Sequence, residues 1–270
     1  MRLGRGDLTR NLRTDRRMRL PCLDPSPDAP FPAVDRALEQ PNGLLAFGGD
    51  LSVTRLMNAY RHGIFPWYNE DQPILWWSPD PRAVFDTHSL HLSRRLRRTL
   101  KAKAWTIHAD RNFETVLNAC ASVPRPGQAG TWICPEMKRA YLTLAQAGFA
   151  HSVEVHEGER LIGGVYGVDV GPVFCGESMF SLESGASSLA LAALCRFLAQ
   201  EGVRWLDAQM TTPHLRSLGV QCVRRTDYLA MLSPAPSKAV PSLDWTQFPA
   251  HVSERHHRRT LTRVSLPHDP

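Results

Sequence analysis

The sequence predicts an α+β fold, a mixed sheet flanked by helices and preceded by a small N-terminal domain. Two observations carry this. The runs "HSVEVHEGE", "RLIGGVYGVDVG" and "PVFCGESMFS" follow one another between residues 151 and 181 with only short Gly, Glu or Asp turns between them, which predicts an antiparallel meander. Helix-period segments bracket that meander, and the chain then alternates strand and helix to residue 232.

Taken in order, residues 1–30 have few apolar side chains and Pro at 21, 25, 27 and 30, so they read as disordered or weakly docked. The small N-terminal domain spans 31–87. It holds a "GGD" turn, Ser52 as N-cap of the helix "VTRLMNAYRHG", and Gly63 as its stop. A Pro- and Trp-dense stretch follows. Trp67, Tyr68, Trp76 and Trp77 read as a core wedged against the second domain or as a binding groove; adjacent Trp76 and Trp77 point to opposite faces of any strand, which puts one of them in a groove or interface.

The main domain spans 88–232. "PEMKRAYLTLAQAG" places Met137, Ala140, Tyr141, Leu144 and Ala145 on one helical face and stops at Gly148. After the meander, Ser187 or Ser188 caps the apolar helix "LALAALCRFLAQEG". "VRWLDAQM" is the next strand, "PHLRSLG" a short helix, and "VQCVRRTDYLAML" the closing strand. The order α-β-β-β-α-β-α-β is that of an acetyltransferase-like (GNAT-type) fold, although order alone assigns no chemistry. Residues 233–270 read as a Pro-rich linker and basic tail.

Charge and cysteine usage narrow the class. The formal charge is +6, but residues 1–30 alone hold seven Arg against four Asp. Basicity therefore sits mostly in the tails. One local excess remains: Arg82, Arg94, Arg95, Arg97, Arg98, Lys101 and Lys103 face only Asp86, the footprint of a polyanion partner or of a solvated helix face. The six Cys form no C-x-x-C pair and read as reduced, buried thiols of a cytoplasmic protein. No apolar run approaches the ~20 residues of a membrane span.

Polar residues inside apolar strands are the candidates for chemistry. Glu177 interrupts "FCGESMFS", and a carboxylate there costs several kcal/mol unless it is paired. Asp207 and Gln209 alternate in "WLDAQM" and should share a face. Met179, two residues from Glu177, should share its face and suit an apolar group beside an amine. The alternative for all of them is a satisfied buried hydrogen-bond network. "GGD" and "LIGG" lack phosphate-loop spacing and fit turns or packing. A CoA-binding pyrophosphate loop is also missing, because "SLESGASSLAL" has one Gly and no upstream Arg or Gln.

The motifs "PNGLLAFGGDLS", "AYRHGIFPWY", "ILWWSPDPRAVF", "TWI", "HSVEV", "LIGGVYGV", "FCGESMFS" and "HLRSLG" together resemble the leucyl/phenylalanyl-tRNA–protein transferases, from about Phe31 to Leu232. The resemblance implies a cytoplasmic, monomeric enzyme without metal or cofactor. It would move Leu or Phe, or Met, from a charged tRNA to proteins beginning with Arg or Lys, marking them for degradation. It further implies an apolar side-chain pocket at Val165, Phe174, Met179, Leu191, Leu194 and Leu206, with Trp67, Trp132 and Tyr141 around the terminal adenosine. Asp207 and Gln209 match the catalytic pair. Either Asp207 takes the amine's proton through Gln209, or it only orients Gln209 while an adenosine hydroxyl shuttles the proton. Glu177 would recognise the cationic acceptor, and Arg94, Arg95, Arg97, Arg98 and Lys101 the acceptor stem of the tRNA. The chain departs from the pattern at Val165, where relatives often have Met, and at Gly185–Ser188, where many read Asn-Ala-Ser-Lys. Met18 is an alternative initiator.

Overall fold

Ser52 accepts a hydrogen bond from the Arg55 backbone N–H, and the helix α1 (Val53–Arg61) starts there, as its sequence requires. Gly63, at φ +74°, ends it. The computed structural model describes residues 20–94, 97–98, 103–123, 131–233 and 243–248. In it α1 accompanies a four-stranded sheet ordered β1 (Cys22–Leu23), β2 (Leu44–Gly48), β4 (Leu75–Trp77), β3 (Phe65–Pro66). Trp76 and Trp77 are both buried, with Trp76 Nε1 donating to Gly48 O and Trp77 Nε1 to Trp67 O. Their side chains diverge as expected, but this small sheet is covered on both sides, so neither lines a groove.

Order begins earlier than composition suggests. Leu20 and Leu23 are buried, and β1 pairs in parallel with β2. The buried Arg55 guanidinium donates to the carbonyls of Asp24, Ser26 and Ala29 and so holds the segment in place. A single long-range cation thus offsets the shortage of apolar side chains. The rest of the predicted disordered stretch, residues 1–19, lies outside the described residues.

The second sheet has seven strands, in the order β11 (Gln221–Val223), β5 (Arg82–Asp86), β10 (Trp205–Gln209), β9 (Val173–Ser181), β8 (Arg160–Asp169), β7 (Ala150–Glu157), β6 (Trp105–Ala109). The predicted meander is β7–β8–β9, antiparallel throughout. β10 joins β9 in parallel and β5 antiparallel, which makes the sheet mixed. Strand β5 ended the first segment in the sequence reading, yet it hydrogen-bonds within the larger sheet. Strand β6 and helix α2 (Phe113–Ser122) had no counterpart in the predicted order, and the predicted closing strand divides into β11 and helix α6 (Arg225–Leu232).

Helix α4 (Ala186–Gln200) makes the crossover from β9 to β10. Its N-cap is Gly185, at φ +90°, rather than Ser187 or Ser188. Ser181 Oγ, on β9, instead accepts the Ser187 N–H at 2.8 Å. The "LIGG" glycines serve packing, since a Cβ on Gly163 would lie 2.5 Å from the Ala186 Cβ. One apolar cluster, including Leu191, Leu194 and Phe197, fills the space between α4 and the sheet. The other joins the N-terminal segment to α2 and α3 (Pro135–Gln146). Helix α5 (Pro213–Ser217) is the short one predicted. Within the predicted tail, residues 243–248 dock: Trp245 stacks on His151 at 4.1 Å and packs against Phe174 and Phe197. Residues 234–242 and 249–270 lie outside the described ones. Of the six cysteines four are buried, while Cys22 and Cys222 are exposed, because each sits on a short strand at an edge of its sheet. No helix among the described residues is long and apolar enough to cross a membrane.

Candidate active site

Strands β9 and β10 pair only from Trp205 opposite Val173 to Asp207 opposite Cys175. Each then bulges. Against β8, Tyr166 lies opposite Ser178 and Gly167 opposite Gly176, which leaves Glu177 as the extra residue. Against β5, the register of β10 shifts between Asp207 and Gln209, and Gln209 takes φ +61°. The two polar positions singled out from the sequence therefore stand where neighbouring strands part.

The bulge corrects one expectation. Period-two alternation put Met179 on the face of Glu177, but the extra residue breaks that period. Met179 packs with the α4 cluster, opposite Val165. The Glu177 carboxylate turns instead to Tyr141, whose ring belongs to the other cluster. Tyr141 donates to Glu177 Oε2 at 2.6 Å, and Gln209 Nε2 donates to Oε1 at 2.8 Å. The Tyr60 hydroxyl lies 2.7 Å from that of Tyr141. Burial pushes the Glu177 carboxyl up to about 7; the Tyr141 and Tyr60 hydroxyls pull it down and the Asp207 charge pushes it further up. Burial, reinforced by the Glu177 charge, raises both tyrosines well above their ordinary value.

Asp207 is fully buried and fully partnered. Arg82 binds it through two parallel bonds, Nε to Oδ1 at 2.8 Å and Nη2 to Oδ2 at 2.6 Å. Gln209 N–H donates to Oδ1 at 2.8 Å and Tyr228 OH to Oδ2 at 2.9 Å. Arg82 also donates to Gly63 O and stands over the rings of Phe65 and Tyr228. Burial works against its charge, but the Asp207 carboxylate outweighs that and holds the guanidinium above its usual value.

The six apolar positions Val165, Phe174, Met179, Leu191, Leu194 and Leu206 come together in the α4 cluster. Trp132 sits edge-on to Tyr141 at 6.4 Å, whereas Trp67 packs edge-on to Trp77 in the smaller sheet. Arg94 and Arg98 are exposed, and Arg97 is partly buried with Nε donating to Leu92 O. Arg95 and Lys101 lie outside the described residues. Arg82 leaves the basic cluster, because its charge is spent on Asp207. Among the described residues no group of three His, Cys, Asp or Glu is arranged to hold a metal.

Sequence reasoning missed Tyr60, Arg82 and Tyr228. Arg82 carried the same signal that exposed Glu177, a charge inside an apolar strand. The two tyrosines looked like ordinary core residues and gave none. The assembled site joins a buried ion pair, a second carboxylate, a side-chain amide and two tyrosine hydroxyls in one hydrogen-bonded network.

The leucyl/phenylalanyl-tRNA protein transferase family model matches residues 84–233, and the model of that family's N-terminal domain matches residues 49–80. Three proteins called leucyl/phenylalanyl-tRNA–protein transferase are close relatives. The one from Xanthomonas axonopodis pv. citri (strain 306) is 58% identical over 207 residues, covering 77% of this chain and 83% of its own. That from Xylella fastidiosa (strain M23) is 56% identical, covering 77% and 85%. That from Xanthomonas campestris pv. campestris (strain B100) is 52% identical, covering 87% and 93%. A solved GCN5-related N-acetyltransferase from Kribbella flavida aligns at a TM-score of 0.33 and 14% identity, over 61% of this chain and 58% of that one. On the family models and these relatives, the chain belongs to the leucyl/phenylalanyl-tRNA–protein transferase family and is an aminoacyltransferase.

Proposed function

We propose that the enzyme transfers Leu or Phe from charged tRNA to the α-amine of proteins beginning with Arg or Lys, in the cytoplasm and as a monomer, creating an N-terminal degradation signal. The supporting observation is Glu177, a carboxylate held at the parting of two strands, on a strand that also packs Phe174 and Met179 into the apolar α4 cluster. A cationic N-terminus would supply the charge that this carboxylate lacks.

The aminoacyl ester is already activated. The acceptor amine attacks its carbonyl, the C–N bond forms, the C–O bond breaks, and the terminal adenosine leaves. Much of the acceleration then comes from holding amine and ester in line. The pocket lined by Val165, Phe174, Met179, Leu191, Leu194 and Leu206 would take the Leu or Phe side chain. Filling it stabilises the complex by roughly 1.5–3 kcal/mol, enough to reject Ala. Trp132, beside Tyr141, and Trp67 offer faces for the terminal adenine, at about 1–3 kcal/mol per stacked base. Both oxygens of Asp207 are taken, so its part is to orient Gln209: it fixes the backbone N–H of a residue at positive φ, whose side chain then reaches Glu177. Exposed Arg94 and Arg98, together with Arg95, Arg97 and Lys101, would meet the acceptor stem through its phosphates.

The test uses purified protein, radiolabelled Leu-tRNA and peptides beginning with Arg, Lys, Asp or Glu. Label should pass to the Arg and Lys peptides. Transfer only to the acidic peptides, or equally to all four, refutes the acceptor assignment.

A further inference from the structure

We infer that Glu177 accepts the proton released during transfer and that Tyr60 positions it for this. The inference rests on the acyl-transfer reading above and deepens it. It starts from a count of lone pairs. A carboxylate offers about four acceptor sites. Asp207 fills its own with Arg82 Nε, Arg82 Nη2, Gln209 N–H and Tyr228 OH. A proton could reach Asp207 only by displacing one of these from a fully buried carboxylate. Glu177 accepts Tyr141 on one oxygen and Gln209 on the other, with the Tyr60 hydroxyl as a third partner, and still keeps acceptor capacity on the bulge where β9 and β10 part.

The surroundings suit a proton acceptor. The ionisable groups about Glu177 are Tyr141 on α3, Tyr60 on α1, Tyr166 on β8, Asp207 on β10, Arg82 on β5, Tyr228 on α6 and Cys175 on its own strand. Arg82 is paired with Asp207, and the two charges act on Glu177 in opposite directions, Asp207 pushing its carboxyl up and Arg82 pulling it down. Burial raises its carboxyl to about 7. An α-amino group titrates near 7.7–8.0, and a proton acceptor works best when matched to its donor.

The step balances as follows. The acceptor ammonium loses one proton to water and arrives as a neutral amine hydrogen-bonded to the Glu177 carboxylate. As the C–N bond forms, the nitrogen becomes positive and Glu177 takes one of its two protons. The C–O bond of the ester breaks, that proton passes to the leaving oxygen of the terminal adenosine, and the carboxylate is restored. Tyr60 acts through Tyr141: it bonds the hydroxyl that bonds Glu177, and so fixes the carboxylate's direction and lowers its proton affinity.

The test is the pH profile of kcat/KM for an Arg-initiated peptide, with kcat measured alongside at saturating Leu-tRNA, for wild type, Glu177→Gln and Tyr60→Phe. Wild type should show an inflection at about 7, set by Glu177, besides that of the amine. Glu177→Gln should lose that inflection and about 100-fold or more in kcat. Tyr60→Phe should move it to higher pH while leaving the KM for charged tRNA unchanged. Infrared difference titration of the enzyme alone supplies a readout free of turnover: a carboxyl band titrating at about 7 in wild type and absent from Glu177→Gln. Retention of kcat or of the inflection in Glu177→Gln, with only the acceptor KM raised, overturns the inference and leaves Glu177 a binding residue. An unmoved inflection in Tyr60→Phe overturns the role of Tyr60. Failure of wild type to label Arg peptides at any pH would instead overturn the proposed function.

Discussion

Replacing Arg82 by Met puts the buried ion pair to the test. The Arg82 and Asp207 side chains are 1% and 0% exposed, so neither charge has water to fall back on. Met keeps most of the stem volume, so the aliphatic packing changes little, while the guanidinium's cation–π places over Phe65 and Tyr228 go with the charge. What is lost is two charge-assisted bonds to Asp207 and one bond to Gly63 O. Removing one member of such a pair strands the other charge, at a cost of about 3–5 kcal/mol. Asp207→Asn in the same chain removes the stranded charge. The double variant should therefore be destabilised by about 2 kcal/mol less than the sum of the singles. Urea unfolding followed by tryptophan fluorescence measures all three. A loss below about 1 kcal/mol for Arg82→Met, or strict additivity in the double variant, would refute the argument that the pair acts as a unit.

Other predictions concern pH, specificity, tRNA and the docked C-terminal segment. The Glu177 carboxyl lies above its unfolded value, so the native state binds the extra proton between about pH 4.5 and 7, and wild-type stability falls as pH rises through that window. Glu177→Gln should abolish this slope and gain up to about 3 kcal/mol at pH 8, in urea unfolding at pH 5 and 8; a variant no more stable than wild type at pH 8 would contradict it. Val165→Met adds volume opposite Met179 and should disfavour Phe relative to Leu by about tenfold in a competition between the two charged tRNAs; an unchanged ratio removes Val165 from the pocket. Reversing Arg94 and Arg98 to Glu should weaken every tRNA alike and flatten the salt dependence of binding by about one to two units of slope, whereas an unchanged slope would place the acceptor stem elsewhere. Trp245→Ala removes the His151 stack and the contacts to Phe174 and Phe197, and should cost about 2 kcal/mol in the same urea assay; no loss would mean the segment's docking adds nothing.

Much of the frame is readable from local pattern. The meander, the helix after it and the strand carrying Asp207 and Gln209 follow from periods of two and 3.6 with Gly at the turns. Three failures share one cause, an interaction between positions far apart in the chain. Arg82 reads as part of a basic cluster until Asp207, 125 residues later, is placed against it. Residues 20–30 read as disordered until Arg55 collects their carbonyls. Glu177 was found because a charge in an apolar strand is visible locally. Its bulge was not, because a bulge is a property of register with the neighbouring strand, and so the face assigned to Met179 was wrong.

The hydroxyl of Tyr60 lies in the chain well before the segment that supplies the rest of the cleft, and the Gly63 carbonyl that receives Arg82 follows it closely. A fragment beginning at residue 84, where the larger family match starts, would keep Glu177, Asp207 and Gln209 but lose Arg82, Gly63 and Tyr60 together. The unit that can be cut out as a sequence domain is therefore smaller than the unit that works. A chain clipped between the two would leave behind a carboxylate parted from the arginine that pairs with it and a tyrosine parted from its hydroxyl partner, so assembly of both segments decides whether the network forms at all.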